Sequence, residues 1–561
     1  MARVTKKVHA MSVFITRLRF AMALGFATLV SFGAQAIDHI LVNGKIITVD
    51  SQFAIVPALA IEAGRIVATG SNAKIRALAG PQTSVIDLKG KTVIPGLIDN
   101  HAHWIRAAEH NELRFDGVVS RAKAWQMLVD RVKQVKAGQW VVVLGGWSEQ
   151  QFLDSTRGFS LKELDQLAPQ IPVVIQAIYN HSYLNTAALK ASGIDANTPN
   201  PPNGVIEKDA LGQPTGLVSG AGGVAFVAAK IPLFPETEWL ANTEALTHYL
   251  NSIGITAWLD AGGRGMGDQH YTPFKLLAER GQLPVRAFWT VIRQPSTAKQ
   301  VDGVLEEIER LKPFQGNDFF NNLGWGETLF APVTSQLLRP QKSFGEEGIL
   351  QMTRVASALA RRGIFANSHV EMNGPIDQFL TAYESVNAVT PIRTLRWAFS
   401  HLDQVDEKQL ERMKRLGMTA MIHSRPLIQG ALMHEAHGNL AWDMPPFRKV
   451  QDSGIMWGLG SDATAVTTSN PFYTLSFAVT GKMIGGRHVN RQSISREEAL
   501  IAHTRSNAFI LFQEANLGSL APGKYADLLV LDRDYLTVPI DQIQLIKPLM
   551  TMVGGKIVYQ R

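Results

Sequence analysis

Eight short apolar runs, separated by segments of helical pattern, restrict this chain more than any other feature. They are Leu97–His101, Ile255–Asp260, Val285–Val291, Phe319–Gly324, Ile364–His369, Arg396–His401, Met418–His423 and Met456–Gly460. Strands that alternate with helices form parallel βα units, and eight such units close a TIM-like (β/α)8 barrel. The connections carry matching signals. Asp406 is placed to cap a helix over Glu407–Leu416, whose apolar stripe is Leu410, Met413 and Leu416 and which Gly417 ends. Ser495 and Glu498 form a capping box at the start of another helix. A hydrophobic share of 46% supplies a large core and excludes a disordered or collagen-like chain.

One connection departs from the pattern. About 150 residues separate the first strand from the second, whereas an ordinary βα loop takes roughly two to six. Residues 104–235 hold strand signals of their own (Trp140–Leu144, Val173–Ile178) and read as an inserted subdomain over the barrel mouth. The barrel itself then comprises 93–103 and 236–510. Outside it, residues 37–92 and 511–561 are both rich in short strands and turns, including Asn43-Gly44 and the hairpin Thr551–Tyr559 around Gly554-Gly555. Two β-rich ends predict one β-sandwich closed by both termini. The expected class is α/β, with barrel, sandwich and insertion after barrel strand one.

His101 and His103 close the first strand. At i and i+2 of an extended chain, both imidazoles point the same way and can reach one ion. His369 ends the fifth strand, His401 the sixth, and Asp462 follows the eighth in Gly460-Ser461-Asp462. All five fall at C-terminal strand ends, where barrel active sites are built. The chain has no cysteine, so thiolate metal sites, disulfides and thiol nucleophiles are excluded. A metal must rest on His, Asp, Glu or a modified Lys.

With these residues in view, the chain resembles the metal-dependent amidohydrolase superfamily, and within it the YtcJ-like (amidohydrolase 3) branch that includes N-substituted formamide deformylases. The resemblance spans residues 37–561 and rests on VIPGLIDNHAH (93–103), GWSEQQF (146–152), PVVIQAIYNHSYLNTAAL (172–189), GIT (254–256), SHVE (368–371), the His401 strand, GSD (460–462) and LGSLAPGKYADLLVLD (517–532). It implies a barrel hydrolase with one or two divalent ions, commonly Zn2+, and attack by metal-activated hydroxide on a C–N bond. His101, His103 and His369 are then ligands. His401 binds a second ion or the substrate. Asp462 touches the metal and serves as general base and acid.

The sequence departs from the family at the fourth strand. Many relatives carry a carboxylated lysine there that bridges two metals; here the comparable stretch is Asn321–Glu327, with Asn322 or a neighbour at the lysine's place. Either Glu327 supplies the bridging carboxylate, or the site holds one ion. His423 at the end of strand seven, His181 in the insert, and the aromatic Trp147 are candidates for the substrate pocket.

Five of the seven net positive charges belong to Arg3, Lys6, Lys7, Arg17 and Arg19. They precede an apolar run, Phe20–Phe32, and the small-x-small end Ala34-Gln35-Ala36. That order describes a secretory signal peptide over residues 1–36, and a periplasmic enzyme in a Gram-negative source. The run is too short to span a bilayer as a helix. The near-neutral remainder lacks the basic patches that nucleic-acid binding needs. Expected partners are a small-molecule substrate and, where copies associate, a homo-oligomer; no nucleic acid is expected, and no membrane after cleavage. Two other readings stay open: a binding or regulatory protein on a degenerate amidohydrolase frame, and a metal-dependent deaminase or esterase.

Overall fold

The computed structural model describes residues 37–105, 108, 112–136, 138–262, 268–338 and 343–561; the basic leader, residues 1–36, lies outside them. At its centre eight parallel strands form a TIM-like barrel. They are β1 (Leu97–Ala102), β2 (Ile255–Asp260), β3 (Arg286–Val291), β4 (Phe320–Trp325), β5 (Phe365–Val370), β6 (Ala398–His401), β7 (Thr419–His423) and β8 (Trp457–Gly460), paired in sequence order. Every expected run forms its strand, with ends displaced by two residues at most. Alternate side chains enter the lumen: Ile98, Leu259, Phe288, Leu323, Phe365, Ala398 and Met421 form one buried cluster there. Helix α1 (Glu407–Leu416) has the expected ends. Asp406 and Gln409 cap each other's backbone, and Gly417 turns left-handed at φ 71°.

β8 contributes no bulky side chain to the lumen, and the seam between β8 and β1 explains why. Asn507 Nδ2 donates to Ile98 O at 2.5 Å and to Leu459 O at 2.8 Å, one carbonyl on each strand. Asn100 Nδ2 donates to Asn507 Oδ1 at 2.8 Å. Asp99 Oδ1 accepts from His101 N and from Ser461 N. These side chains replace ladder bonds, and they need the space that glycine leaves. A Cβ on Gly458 would stand 1.9 Å from Asn507 Oδ1 and 2.8 Å from Asn100 Nδ2. Gly458→Ala is therefore expected to destabilise the fold by about 3 kcal/mol, the upper range for overpacking, read as a lower Tm by scanning calorimetry. An unchanged Tm would refute the tight seam.

Both chain ends build the sandwich. One sheet pairs Arg65–Gly70, Ala58–Glu62, His39–Val42 and Ser84–Asp87. The other runs Lys556–Gln560, Pro548–Val553, Leu528–Leu531, Thr92–Pro95, Lys45–Ile47 and Ile55–Val56. Residues 93–95, grouped above with the barrel, pair with Leu528–Val530 instead. The chain crosses from sandwich to barrel at Gly96, where a Cβ would meet Thr256 Oγ1 at 2.1 Å.

Within residues 104–235 a five-stranded sheet runs Val205–Lys208, Pro214–Ser219, His181–Leu184, Val173–Ala177 and Val141–Leu144, with a buried apolar cluster on each face. Three of its contacts with the barrel fall just beyond β7 and β8. Ser148 Oγ donates to Ile428 O, Gly146 N to Ala465 O, and Arg114 Nη2 to Thr464 O, at 2.5, 2.9 and 2.9 Å. The insert thus packs at the C-terminal mouth. No helix among the described residues is long and apolar enough to cross a membrane.

Candidate metal centre

Because all eight strands run parallel, residues at their C-terminal ends share one face. β1 brings His101 and His103 there, β5 brings His369, β6 His401 and β7 His423. The turn after β8 adds Asp462, whose N–H donates to His101 O at 2.8 Å, while His103 N donates to Ala463 O. Two of these positions are held in uncommon backbone geometry, His401 at φ 81° and Asp462 at φ 63°, as is frequent at functional sites.

The side-chain spacing is that of ligands around a cation. Glu327 Oε2 lies 3.3 Å from His101 Nε2, 3.3 Å from His369 Nδ1 and 3.6 Å from His401 Nε2. Its Oε1 lies 3.9 Å from His103 Nε2. Asp462 Oδ1 is 3.5 Å from His103 Nε2 and 3.8 Å from His101 Nε2, and Oδ2 is 3.6 Å from His401 Nδ1. Atoms bound to one tetrahedral zinc at roughly 2.0–2.2 Å stand about 3.3–3.6 Å apart, so several of these separations match. Three triads are close enough to share an ion: His101, His103 and Asp462; His101, Glu327 and His401; and His401, His423 and Asp462. His401 also contacts two imidazoles, with Nε2 at 2.8 Å from His369 Nδ1 and Nδ1 at 2.7 Å from His423 Nδ1.

Surrounding groups set the tautomers. Ser400 Oγ donates to Asn367 Oδ1 at 2.6 Å and so accepts from His101 Nδ1, 3.1 Å away. That leaves the His101 Nε2 lone pair facing the cluster; this nitrogen is buried and makes no hydrogen bond. His369 Nε2 faces Glu371 Oε1 at 3.4 Å, which frees Nδ1 for the centre. Burial pushes His101, His401 and His423 well below the usual imidazole range, into the neutral ligating form. Burial also opposes charge on His103 and His369, but there the carboxylates win. Asp260, Asp462 and Glu327 raise His103, and Glu371 and Glu327 raise His369 to about 10. The cup therefore draws positive charge toward itself. With a buried lone pair and convergent carboxylates, these residues fit a divalent cation.

Some contributors were not apparent from the sequence. Arg425, buried just after β7, pairs with Glu371 at 2.6 Å and with Asp403, and its Nε stands 4.0 Å from Asp462 Oδ2. Burial opposes ionisation of Glu371, yet Arg425 and His369 outweigh it and hold the carboxylate well below its ordinary range. Asp260, at the end of β2, lies 3.9 Å from His103 Nδ1. A strand-terminal acid, Asp260 in β2 and Glu371 in SHVE, was the available signal.

The remaining candidates separate. His423 joins the cluster. Asn322 does not face it: Leu323 points into the lumen, so its neighbour Asn322 is turned away. Glu327, beyond the end of β4, is the group that enters. Trp147 is corrected as a pocket residue. Its ring is fully buried among Phe115, Phe152 and Phe159 in the insert core, and its Nε1 donates to Gln176 O at 2.8 Å. His181 sits in the insert beside Glu149, 2.8 Å from its Oε1.

Known proteins place this geometry in context. N-substituted formamide deformylase of Arthrobacter pascens is 27% identical over 94% of this chain and 99% of its own. Protein LONG AFTER FAR-RED 3 of Arabidopsis thaliana is 27% identical over 93% of this chain and 91% of its own. An uncharacterized metal-dependent hydrolase of Pyrococcus horikoshii shares the fold with a TM-score of 0.63 at 20% identity, covering 90% of this chain and 99% of its own. The amidohydrolase family profile matches residues 84–559, and the chain belongs to that family.

Proposed function

We propose that this enzyme hydrolyses a non-peptide, amide-type C–N bond in a small organic substrate, with one or two divalent cations, Zn2+ first among them. The observation that carries the reading is the convergence of His101, His103, His369, His401, Glu327 and Asp462 on one cup. His101, His103 and Asp462 would hold one ion, His369 and His401 a second, with Glu327 between them. Such an ion, when bound, polarises a carbonyl and brings the pKa of water near 7.

The protein's own groups supply the rest. Burial pushes Asp462 up, and His103 and Arg425 offset this only in part. A carboxylate so poised takes the proton from water and returns it to the leaving nitrogen, which must be protonated to depart. The similarity to N-substituted formamide deformylase supports an N-formyl, N-acyl or cyclic amide over a peptide. The insert, packed at the mouth, supports a small substrate over a chain. The leader over residues 1–36 supports export and a periplasmic location, with no nucleic-acid or membrane partner for the mature enzyme. Association of identical copies is compatible with this reading.

The test begins with purified mature protein. Elemental analysis is expected to find one or two metal ions per chain. A panel of N-formyl amines, N-acyl amines, cyclic amides, esters and amidines is expected to yield turnover on an amide. Chelation should lower that turnover at least 100-fold, and Zn2+ should restore it. Full activity in metal-free protein refutes the reading; activity confined to amidines or esters replaces it with a deaminase or an esterase. N-terminal sequencing of the exported protein should begin at Ile37.

A further inference from the structure

A second polar cluster lies outside the metal centre. The insert and the barrel border a half-open cavity of about 230 Å3, whose lining includes Glu149, His181 and Tyr183 from the insert, Ala177 and Ile178 at its edge, and Leu432 from the barrel. Leu432 belongs to α2 (Pro426–His437), the helix that follows β7. It lies six residues along that helix, about 9 Å from its start. The start is three residues after His423, so the cavity lies between the insert and the helix that follows β7, on the C-terminal side of the barrel.

The hydrogen bonds within the cavity fix its charge. Asn180 Nδ2 is 3.2 Å from His181 Nδ1 and can only donate to it. The ring proton is then on Nε2, which donates to Glu149 Oε1 at 2.8 Å. Tyr183 Oη donates to the same oxygen, also at 2.8 Å. Two donors on Oε1 stabilise an ionised Glu149, and burial does not overcome them: its carboxyl lies below the ordinary range. Oε2 receives no hydrogen bond from another described residue, and no Lys or Arg lines the cavity. Ser148, Gln150, Thr156 and Asn180 add uncharged polar groups to the lining, so the cavity presents the Glu149 carboxylate with one apolar wall, Ala177, Ile178 and Leu432.

We propose that this cavity is a binding site for the amine half of the substrate: a small alkyl or aryl amine whose N–H group faces Glu149 and whose body packs on Ile178 and Leu432. An apolar cavity of about 150 Å3 holds a benzene ring, so this larger space admits a ring with a polar head. The assignment of the amine to the leaving half rests on the C–N hydrolysis proposed above; the amine site itself does not. His181 and Tyr183 act as positioning residues that aim the carboxylate, and the motifs GWSEQQF and YNHSY meet here for that purpose.

Isothermal titration of cyclohexylamine and of the neutral cyclohexanol into wild-type protein and Glu149→Gln tests the site without any turnover. Glutamine keeps an acceptor for His181 and Tyr183 but removes the charge. The amine is expected to bind wild type with a Kd in the millimolar range or tighter and to lose at least 20-fold in E149Q, while cyclohexanol changes less than threefold. Leu432→Trp, which fills the cavity from the barrel side, should weaken amine binding by a similar factor while metal content stays at the wild-type level. Failure of wild type to bind the amine, or equal binding by wild type and both variants, overturns the proposal. Equal loss of amine and alcohol in E149Q also overturns it. If the amine binds as stated while no C–N substrate turns over, the site stands and the hydrolytic reading falls.

Discussion

Asp462→Asn is expected to lower kcat on the identified amide about 1,000-fold, within the 10²- to 10⁴-fold range of a general acid–base group, while leaving fold and metal content nearly intact. Asparagine is the right probe for three reasons. It matches aspartate in size. It tolerates the left-handed backbone that residue 462 adopts at φ 63° better than most side chains do. Its Oδ1 still offers a lone pair toward His101 and His103, the neighbours of the Asp462 carboxylate at 3.8 and 3.5 Å. What it cannot do is accept a proton from water and pass it to nitrogen. Single-turnover release of the amine, circular dichroism and elemental analysis separate these contributions. Turnover within tenfold of wild type would remove Asp462 from proton transfer. A variant that keeps substrate affinity and loses chemistry also distinguishes an enzyme from a binding protein on the same frame.

The barrel was legible because its strands are buried on both faces and read as short, largely apolar runs set between helical patterns. The ligands were legible because strand direction places every C-terminal end on one face. His101, His103, His369, His401 and Asp462 could be found from that rule alone. What the sequence hid were side chains whose role depends on a neighbour far along the chain. Arg425 looks like an ordinary residue before the helix-starting Pro426, and only the fold sets it against Glu371 and Asp403. Asn507 is unremarkable until it bridges the carbonyls of Ile98 and Leu459. Trp147 misled for the opposite reason. Pockets are lined largely by apolar and aromatic side chains, which made it a wall candidate, but the insert needed a core of its own, and its sheet buried the ring there. The boundary near residue 93 was hidden because sandwich strand and barrel strand follow each other across the single residue Gly96.

The place of the family's bridging lysine gives the second large effect. Glu327→Gln is expected to reduce bound metal by about one ion per chain, or to weaken retention at least tenfold in a chelator competition, and to lower turnover at least 100-fold. Glu327 is anchored by its backbone, since its carbonyl accepts from His369 N at 2.9 Å. Its carboxylate reaches toward imidazoles from β1, β5 and β6 together, so it touches both halves of the cup. Glutamine preserves volume and the backbone bond but removes the negative charge shared by those imidazoles. A neutral amide oxygen is also a poorer bridge between two cations than a carboxylate, which offers two equivalent anionic oxygens. Asn322 cannot compensate, because its side chain leaves the strand on the face opposite Leu323. The decisive comparison is with Glu371→Gln, which perturbs His369 without supplying a central oxygen. If Glu327→Gln retains full metal and activity while Glu371→Gln does not, Glu327 is a neighbour of the centre and not one of its ligands. If Glu327→Gln loses one ion and Glu371→Gln keeps both, glutamate has taken over the bridging position that lysine fills in other members of the family.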